Sequence, residues 1–543
     1  MLIKTFILLI ALMGIMLIKV KNKKLFSFII SFIGICMAIS LPVVYAITND
    51  YIDYLSFFYF EDITFVFITT FSLVFALGVL FTILQKKINY IELGFIFLYF
   101  ICAIGLVISK NIITVFAFWE GLAIVATAII LISNHPQSKA VALKYFTIHA
   151  LSGVLFMIGV VGYLYYNNTD YLSVTLLDKT NGFNYFILLG ILINLGLPPL
   201  ASWIVDGYSK CSPIASMFLS IFTTKIALFL LLTLFYSNMI LIYMGIIISC
   251  YGIFFSLFEM NLRKLLALSI IQQLGIIIIA VATTNLELDT FIVSYIVVNI
   301  LYKLLFFMIA VILYNRFASD DLNMLKGTIN VKSIMGIFLI LNTLQALGLP
   351  FTGNFISKTY LFNNVEAIEF SWLAYTLTFL LAASSLNVGI KIAYYLLNKK
   401  NTAKAITLYN NYKLIPFFVI CIVAELIFLF NGTEFLSLKN IVHSLEILVA
   451  GLLIFFIGHK LFKNKTANII TLFENFRLRV LAHSHYCLRV ISNINCNNFI
   501  MSTYETVNTK LGAINHYNKF YSSSLVLVSL FMFIIIYVLV RLF

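Results

Sequence analysis

The chain has 543 residues, 62% of them hydrophobic and 10% charged, with a mean hydropathy of +1.06. Soluble domains are roughly half apolar and a quarter charged, so this composition excludes a string of soluble domains and implies an integral membrane protein. The formal net charge of +14 needs no nucleic-acid partner, because spans in a lipid bilayer are oriented by basic loops on the cytoplasmic side.

Requiring about 17–25 mostly apolar residues per crossing yields about sixteen segments. They are 5–20, 25–46, 62–84, 92–109, 111–133, 142–166, 184–200, 213–236, 238–258, 265–284, 289–314, 334–366, 370–397, 414–431, 444–462 and 523–541. The N-terminal stretch lacks the small-residue cleavage site of a secretory signal and is predicted as the first span. Loops after odd-numbered segments carry KVKNKK (19–24), QKK (85–87), Lys139, Lys210, NLRK (261–264), Arg316 and NKKNTAK (398–404). Loops after even-numbered segments, such as TNDYIDY (48–54), NNTDY (167–171), NLELD (285–289) and NNVEAIE (363–369), are neutral or acidic. The asymmetry predicts an N-terminus outside and the basic loops in the cytoplasm, or in the matrix of a mitochondrion.

Residues 463–522 interrupt this rhythm with Arg477, Arg479, His483, His485, Arg489 and Lys519. They are predicted to form a basic amphipathic cytoplasmic connector, with a docking arm for neighbouring subunits as the alternative. The seven cysteines are scattered without a C-x-x-C pair or a histidine at ligand spacing. Neither a metal nor any other cofactor site is expected.

A charge at the bilayer centre costs at least about 2.5–3.5 kcal/mol, so charges inside spans mark polar paths. Glu120, Lys225, Lys303 and Lys358 lie well inside their segments and are the candidate proton relay, since buried lysines can load and release protons. Lys144 and His149 lie nearer the start of the sixth segment and are supporting candidates. Asp206 is read as a solvated loop residue or cap, and Glu425 as a member of a local pair.

The sequence Leu-Gly-Leu-Pro occurs twice, at 195–198 and 347–350, and Pro199 follows the first copy. Gly196, Pro198, Pro199, Gly348 and Pro350 therefore predict two opened helices, tolerated in lipid only where they are buried or line a polar cavity. The breaks fall five segments apart, and an odd offset presents the same motif upside down, as in inverted repeats at an ion path.

The motifs resemble the antiporter-like membrane subunits shared by Mrp-type cation/proton antiporters and respiratory complex I (NADH-quinone oxidoreductase chains L, M and N, mitochondrial chains 2, 4 and 5). FAFWEGLAI (116–124) is similar to the family's fifth-helix Trp-Glu motif. LPPLASWIVDGYSKCSPIAS (197–216) with TTKIALFL (223–230) resembles P-L-x-x-W-L-x-D-A…P…S…K. NLRKLLALSIIQQLG (261–275), NILYKLLFF (299–307) and GLPFTGNFISK (348–358) resemble three further motifs of the family. The resemblance covers about residues 90–400. It implies an all-α bundle with two inverted five-helix repeats, discontinuous helices 7 and 12, and protons passing along Glu120, Lys225, Lys303 and Lys358.

In domain terms, 1–90 holds N-terminal helices, 91–400 the proton-translocating core, 401–462 additional helices, 463–522 the connector and 523–543 a last helix. Three positions depart from the family pattern. Asn194 stands nine residues before Trp203 where a lysine is common, Asn299 stands where a histidine precedes Lys303, and Asn261 replaces an aspartate. Asparagine cannot carry a proton, so the path is expected either to couple Glu120 to Lys225 or to be impaired. The resemblance implies a D-like subunit of a multisubunit Mrp-type antiporter, with partner membrane subunits and with protons, and sodium or potassium as candidate ions. A complex I subunit and a non-conducting structural paralogue are the alternatives. Any redox chemistry would belong to the assembly, and a bacterial inner membrane is preferred to a mitochondrial one.

Overall fold

The computed structural model describes residues 62–85, 89–133, 135–167, 181–235, 238–283, 290–367, 371–397, 415–421 and 437–462. The predicted segments 5–20, 25–46 and 523–541, the connector 463–522, Glu425 and most of 414–431 lie outside the described residues. Among the described residues the architecture is helical, and pairing of extended chain is limited to a bridge between Asn261 and Asp321.

Helices α1 (Asp62–Ile83), α2 (Tyr90–Val107), α3 (Ile112–Ile132) and α4 (Ser138–Asn167) open this part of the chain. Asparagine begins several helices because its side-chain oxygen satisfies an orphan backbone N–H. Asn89 accepts from Ile91 and Glu92, Asn111 from Ile113, and Asn238 from Ile240 at the start of α9 (Met239–Phe258). The predicted seventh segment, 184–200, holds α5 (Asn184–Asn194) and the break, with α6 (Ser202–Ser209) following beyond its predicted end, and the twelfth divides into α12 (Ile334–Leu347) and α13 (Gly353–Ala367).

Both breaks end the same way. Gly196 and Gly348 adopt left-handed backbone with φ of 84° and 72°, open to glycine without steric cost. Leu197 N–H donates to Leu192 O at 3.0 Å, and Leu349 N–H to Leu344 O at 3.3 Å. These are the six-to-one bonds of a Schellman ending, and the proline that follows prevents the helix from resuming. The repeated Leu-Gly-Leu-Pro is thus a helix-stop cassette.

Between the two breaks the chain crosses at 213–234, 239–258, 262–283 and 290–317, so the two broken helices run in opposite directions. Among the described residues, nine helical stretches are long and apolar enough to span a membrane. Three of them, 213–234, α10 (Leu262–Thr283) and α11 (Thr290–Phe317), are buried over nearly their whole apolar length, whereas α3 and α9 bury less than half of theirs. All-round hydrophobic helices form the centre, and the others face their surroundings on one side. Gly245 and Gly275 let α9 and α10 touch backbone to backbone: a Cβ at 275 would lie 2.4 Å from Gly245 O.

The structure adds interruptions that the apolar pattern does not mark. The eighth segment is α7 (Pro213–Leu219) and α8 (Thr223–Leu234), separated by a short non-helical turn. The thirteenth is α14 (Ser371–Ser385), a π-helical turn (Leu386–Ile390) and α15 (Lys391–Leu397). The last described helix, α16 (Leu438–Phe462), starts six residues before the predicted 444–462 and packs against α13, α14 and the π turn.

Candidate functional site

The first group of site residues surrounds α4. Glu120 projects from α3 onto Gly153, where an added Cβ would lie 1.8 Å from Glu120 Oε1. That oxygen is buried and has no hydrogen-bond partner. One turn earlier on α4, His149 is 1% exposed, with its ring centroid 4.2 Å from Tyr145 and 4.5 Å from Trp203. Its Nε2 is also buried and unpartnered, as is Asn194 Oδ1 at the end of α5. Trp203 Nε1 donates to Ile193 O at 3.1 Å, which ties the first break to the His149 pocket.

Among the described residues, Glu120 and Lys225 form no ion pair. A different connection lies between the two regions: Thr223 is hydrogen-bonded to Tyr99, and its Oγ1 lies 3.2 Å from the Tyr145 hydroxyl. Tyr145 stacks on His149, and Thr223 is two residues before Lys225 in α8. Sequence reasoning missed Tyr99, Tyr145 and Thr223, because isolated hydroxyl-bearing residues in apolar helices carry no pattern.

Lys144 and Asp206 also differ from expectation. Lys144 is buried and its Nζ is 2.6 Å from Asp206 Oδ2, while Lys210 Nζ is 2.9 Å from Asp206 Oδ1. Asp206 is therefore a shared counter-ion on α6 rather than a solvated loop residue. It stands eight residues after Pro198, as Lys358 stands eight after Pro350, so the two repeats carry opposite charges at equivalent places.

The central and distal lysines share one kind of partner. Lys225 Nζ donates to Ser220 O at 2.7 Å, the carbonyl exposed where α7 stops. Lys303 Nζ donates to Ser269 O at 2.6 Å and lies 5.9 Å from the Tyr302 ring centroid. Lys358 Nζ donates to Ala346 O at 3.1 Å and Leu347 O at 3.2 Å, the last carbonyls of α12. Helix C-termini leave carbonyls without intrahelical partners and carry partial negative charge, so an ammonium is favoured at the sites of Lys225 and Lys358, whereas the Ser269 carbonyl that holds Lys303 lies inside α10.

A neutral network flanks Lys303. Gln273 Oε1 accepts from Tyr295 at 2.6 Å and from Asn299 at 3.5 Å, and Asn299 also donates to the Tyr302 hydroxyl at 3.1 Å. Asn342 Nδ2 donates to Tyr302 O at 3.0 Å, one helical turn before Ala346, and so leads from Lys303 toward Lys358. Lys391, which sequence reasoning did not single out, donates to Ser256 O and Leu257 O at 3.0 Å and to Glu259 O at 2.7 Å, again at a helix end. Its position near the end of a predicted segment gave no mark of burial.

Among the described residues no cluster of three or more histidine, cysteine or acidic side chains could hold a metal ion. The polar atoms of this arrangement suit an ion or proton that passes between fixed groups.

Comparison with known proteins identifies the scaffold. The family described as "NADH:quinone oxidoreductase/Mrp antiporter, TM" matches residues 109–386. The chain belongs to this family. An NADH-ubiquinone oxidoreductase chain 5 from Locusta migratoria is 23% identical over 334 residues, covering 58% of this chain and 57% of that one. A putative antiporter subunit mnhA2 from Staphylococcus epidermidis is 25% identical over 322 residues, covering 53% of this chain and 40% of that one. The chain thus spans about half the length of the curated relatives it matches.

A chain of the Mrp complex from Dietzia sp. superposes with a TM-score of 0.68 at 14% identity, over 82% of this chain and 96% of that one. A chain of respiratory complex I from Thermus thermophilus gives 0.66 at 15% identity, over 81% and 98%. At such identities the likeness is one of fold. Within the antiporter family's pattern, the exchange of aspartate for Asn261 is structurally neutral: Asn261 Oδ1 accepts from Lys264 N–H at 3.1 Å and caps α10, as either residue would. Asn299 has joined the Gln273 network, and Asn194 leaves the end of α5 without an ionisable group.

Proposed function

We propose that this antiporter-family chain conducts protons across a membrane as one subunit of a multisubunit Mrp-type monovalent cation/proton antiporter, using Glu120, Lys225, Lys303 and Lys358. The proposed conducting unit is the core 91–400. The observation that carries this reading is the way the three buried lysines are held: Lys225, Lys303 and Lys358 donate to backbone carbonyls and, among the described residues, to no carboxylate. A carboxylate partner locks a lysine in its charged form. A carbonyl does not, because a neutral amine still has N–H groups to donate after its proton has left.

In the first half, the buried unpartnered atoms of Glu120, His149 and Asn194 support a hydrated connection, because such atoms are ordinarily satisfied by water. Protons would pass from Glu120 by His149 and the Tyr145–Thr223 hydroxyls toward Lys225. This route bypasses the position where Asn194 stands. A second reading, an antiporter-like subunit of complex I, is favoured by the similarity to the locust chain 5. In that assembly the same path would be driven by quinone reduction elsewhere.

Reconstitution of the purified assembly tests both. Lys303→Ala and Glu120→Gln are expected to abolish proton flux through this subunit, and undiminished flux would leave a non-conducting paralogue. The subunit composition decides between the two assemblies: small antiporter subunits favour the Mrp type, quinone-reductase subunits complex I.

A further inference from the structure

Lys358 opens into a cavity whose far wall is α16, a helix beyond the matched family region 109–386. Leu347, Gly348, Lys358 and Thr359 line one side, and Asn440, His443 and Ser444 line the other. The His443 ring packs on Phe362 with centroids 4.0 Å apart, and its Nδ1 is 3.7 Å from Glu446 Oε2 on the next turn. His443 Nε2 is buried without a hydrogen-bond partner. Exposure rises in order: Lys358 is 9% exposed, the His443 side chain 28% and the Glu446 side chain 70%. A carbonyl-held lysine, an imidazole and an exposed carboxylate thus form a graded series from the bundle interior to its surface.

We propose that His443 is the exchange group of an aqueous port, passing protons between Lys358 and the solution beside Glu446. The inference rests on the relay proposed above and adds the place where that relay meets water. In the outward direction, the Lys358 ammonium gives a proton to Nε2 of the neutral imidazole across the cavity and becomes an amine. The resulting imidazolium releases its Nδ1 proton to the Glu446 carboxylate or to water. No electron moves and no other bond changes. Imidazole suits this place because its two nitrogens can accept on one side and release on the other. The loop-charge pattern puts this end of α16 on the outer face, where a port for Lys358 would be needed.

The test uses the complete reconstituted assembly and initial rates of proton flux. His443→Ala is expected to lower the rate by about 10²-fold, the lower end of the contribution of a positioned proton-transfer group, and added imidazole to restore part of it. Leu445→Ala, a 44% exposed neighbour on the same turn, is expected to leave the rate unchanged. Parental flux in His443→Ala, where Lys303→Ala is inactive, overturns the port and leaves the relay standing. A loss shared by Leu445→Ala and not restored by imidazole marks a packing role and also overturns it. Full flux in Lys303→Ala removes the relay and the port together.

Discussion

Gly153→Ala separates folding from conduction. Gly153 lies inside α4, where alanine is favoured over glycine by about 1 kcal/mol, so helix preference alone predicts a slightly more stable protein. The added Cβ, however, would lie 1.8 Å from Glu120 Oε1 and 2.9 Å from its Cδ. A carbon and an oxygen approach to about 3.3 Å, so the carboxylate must retreat by about 1.5 Å. The clashing oxygen ends a flexible side chain, and rotation of Glu120 relieves the contact at little cost to the fold. Displacement of a reacting group by about 1 Å can slow transfer by about 10²-fold, equivalent to about 2.7 kcal/mol of barrier. The expected variant assembles normally, unfolds at or above the parental temperature and loses about 10²-fold in proton flux. Assembly is read on native gels, stability by thermal unfolding in detergent, and flux in proteoliposomes. Parental flux in Gly153→Ala, alongside an inactive Glu120→Gln, would refute the placement of Glu120 against α4 as the working geometry.

Asp206→Asn removes the carboxylate that Lys144 and Lys210 share and is expected to cost about 3 kcal/mol in thermal or denaturant unfolding. Adding Lys144→Met should recover at least about 1 kcal/mol of that loss, and strictly additive effects would show that the pair is energetically silent. His135, in the connection between α3 and α4, accepts a hydrogen bond at Nδ1 from Gln137 N–H at 3.2 Å. Burial first, then the positive fields of Arg263 and Lys210, push its imidazole below the ordinary 6.5. The unfolded chain therefore binds this proton more readily, and stability falls as the pH drops below about 6.5. His135→Gln should flatten that part of the stability profile, and an unchanged slope would assign it to other groups.

The two helix breaks were legible because their causes are local. Glycine supplies the left-handed ending, proline follows it, and each copy of Leu-Gly-Leu-Pro contains the whole device. Lys225, Lys303 and Lys358 were legible because charge is rare in an apolar run. What escaped depends on partners distant in sequence. The stop between α7 and α8 contains neither glycine nor proline, yet it exposes the Ser220 carbonyl that Lys225 uses. Asp206 looked like a loop residue because its nearest partner, Lys144, lies 62 positions away. Gly153 sits inside a continuous helix, where nothing in the local pattern reveals that a carboxylate lies against it. Lys391 was hidden by its closeness to a basic loop, although three carbonyls surround its ammonium.

The carbonyl pair that holds Lys358 also bears on selectivity. Two backbone oxygens at 3.1 and 3.2 Å from Nζ are the ligand type that a hard metal cation seeks. Here the competing cation is tethered to the chain and already placed against both oxygens. While the amine is protonated, sodium or potassium is excluded from these oxygens both by occupancy and by like charge. When it is neutral, a metal ion must still displace its N–H bonds and shed its own hydration for only two replacements. These two oxygens therefore serve the tethered ammonium in preference to a metal cation.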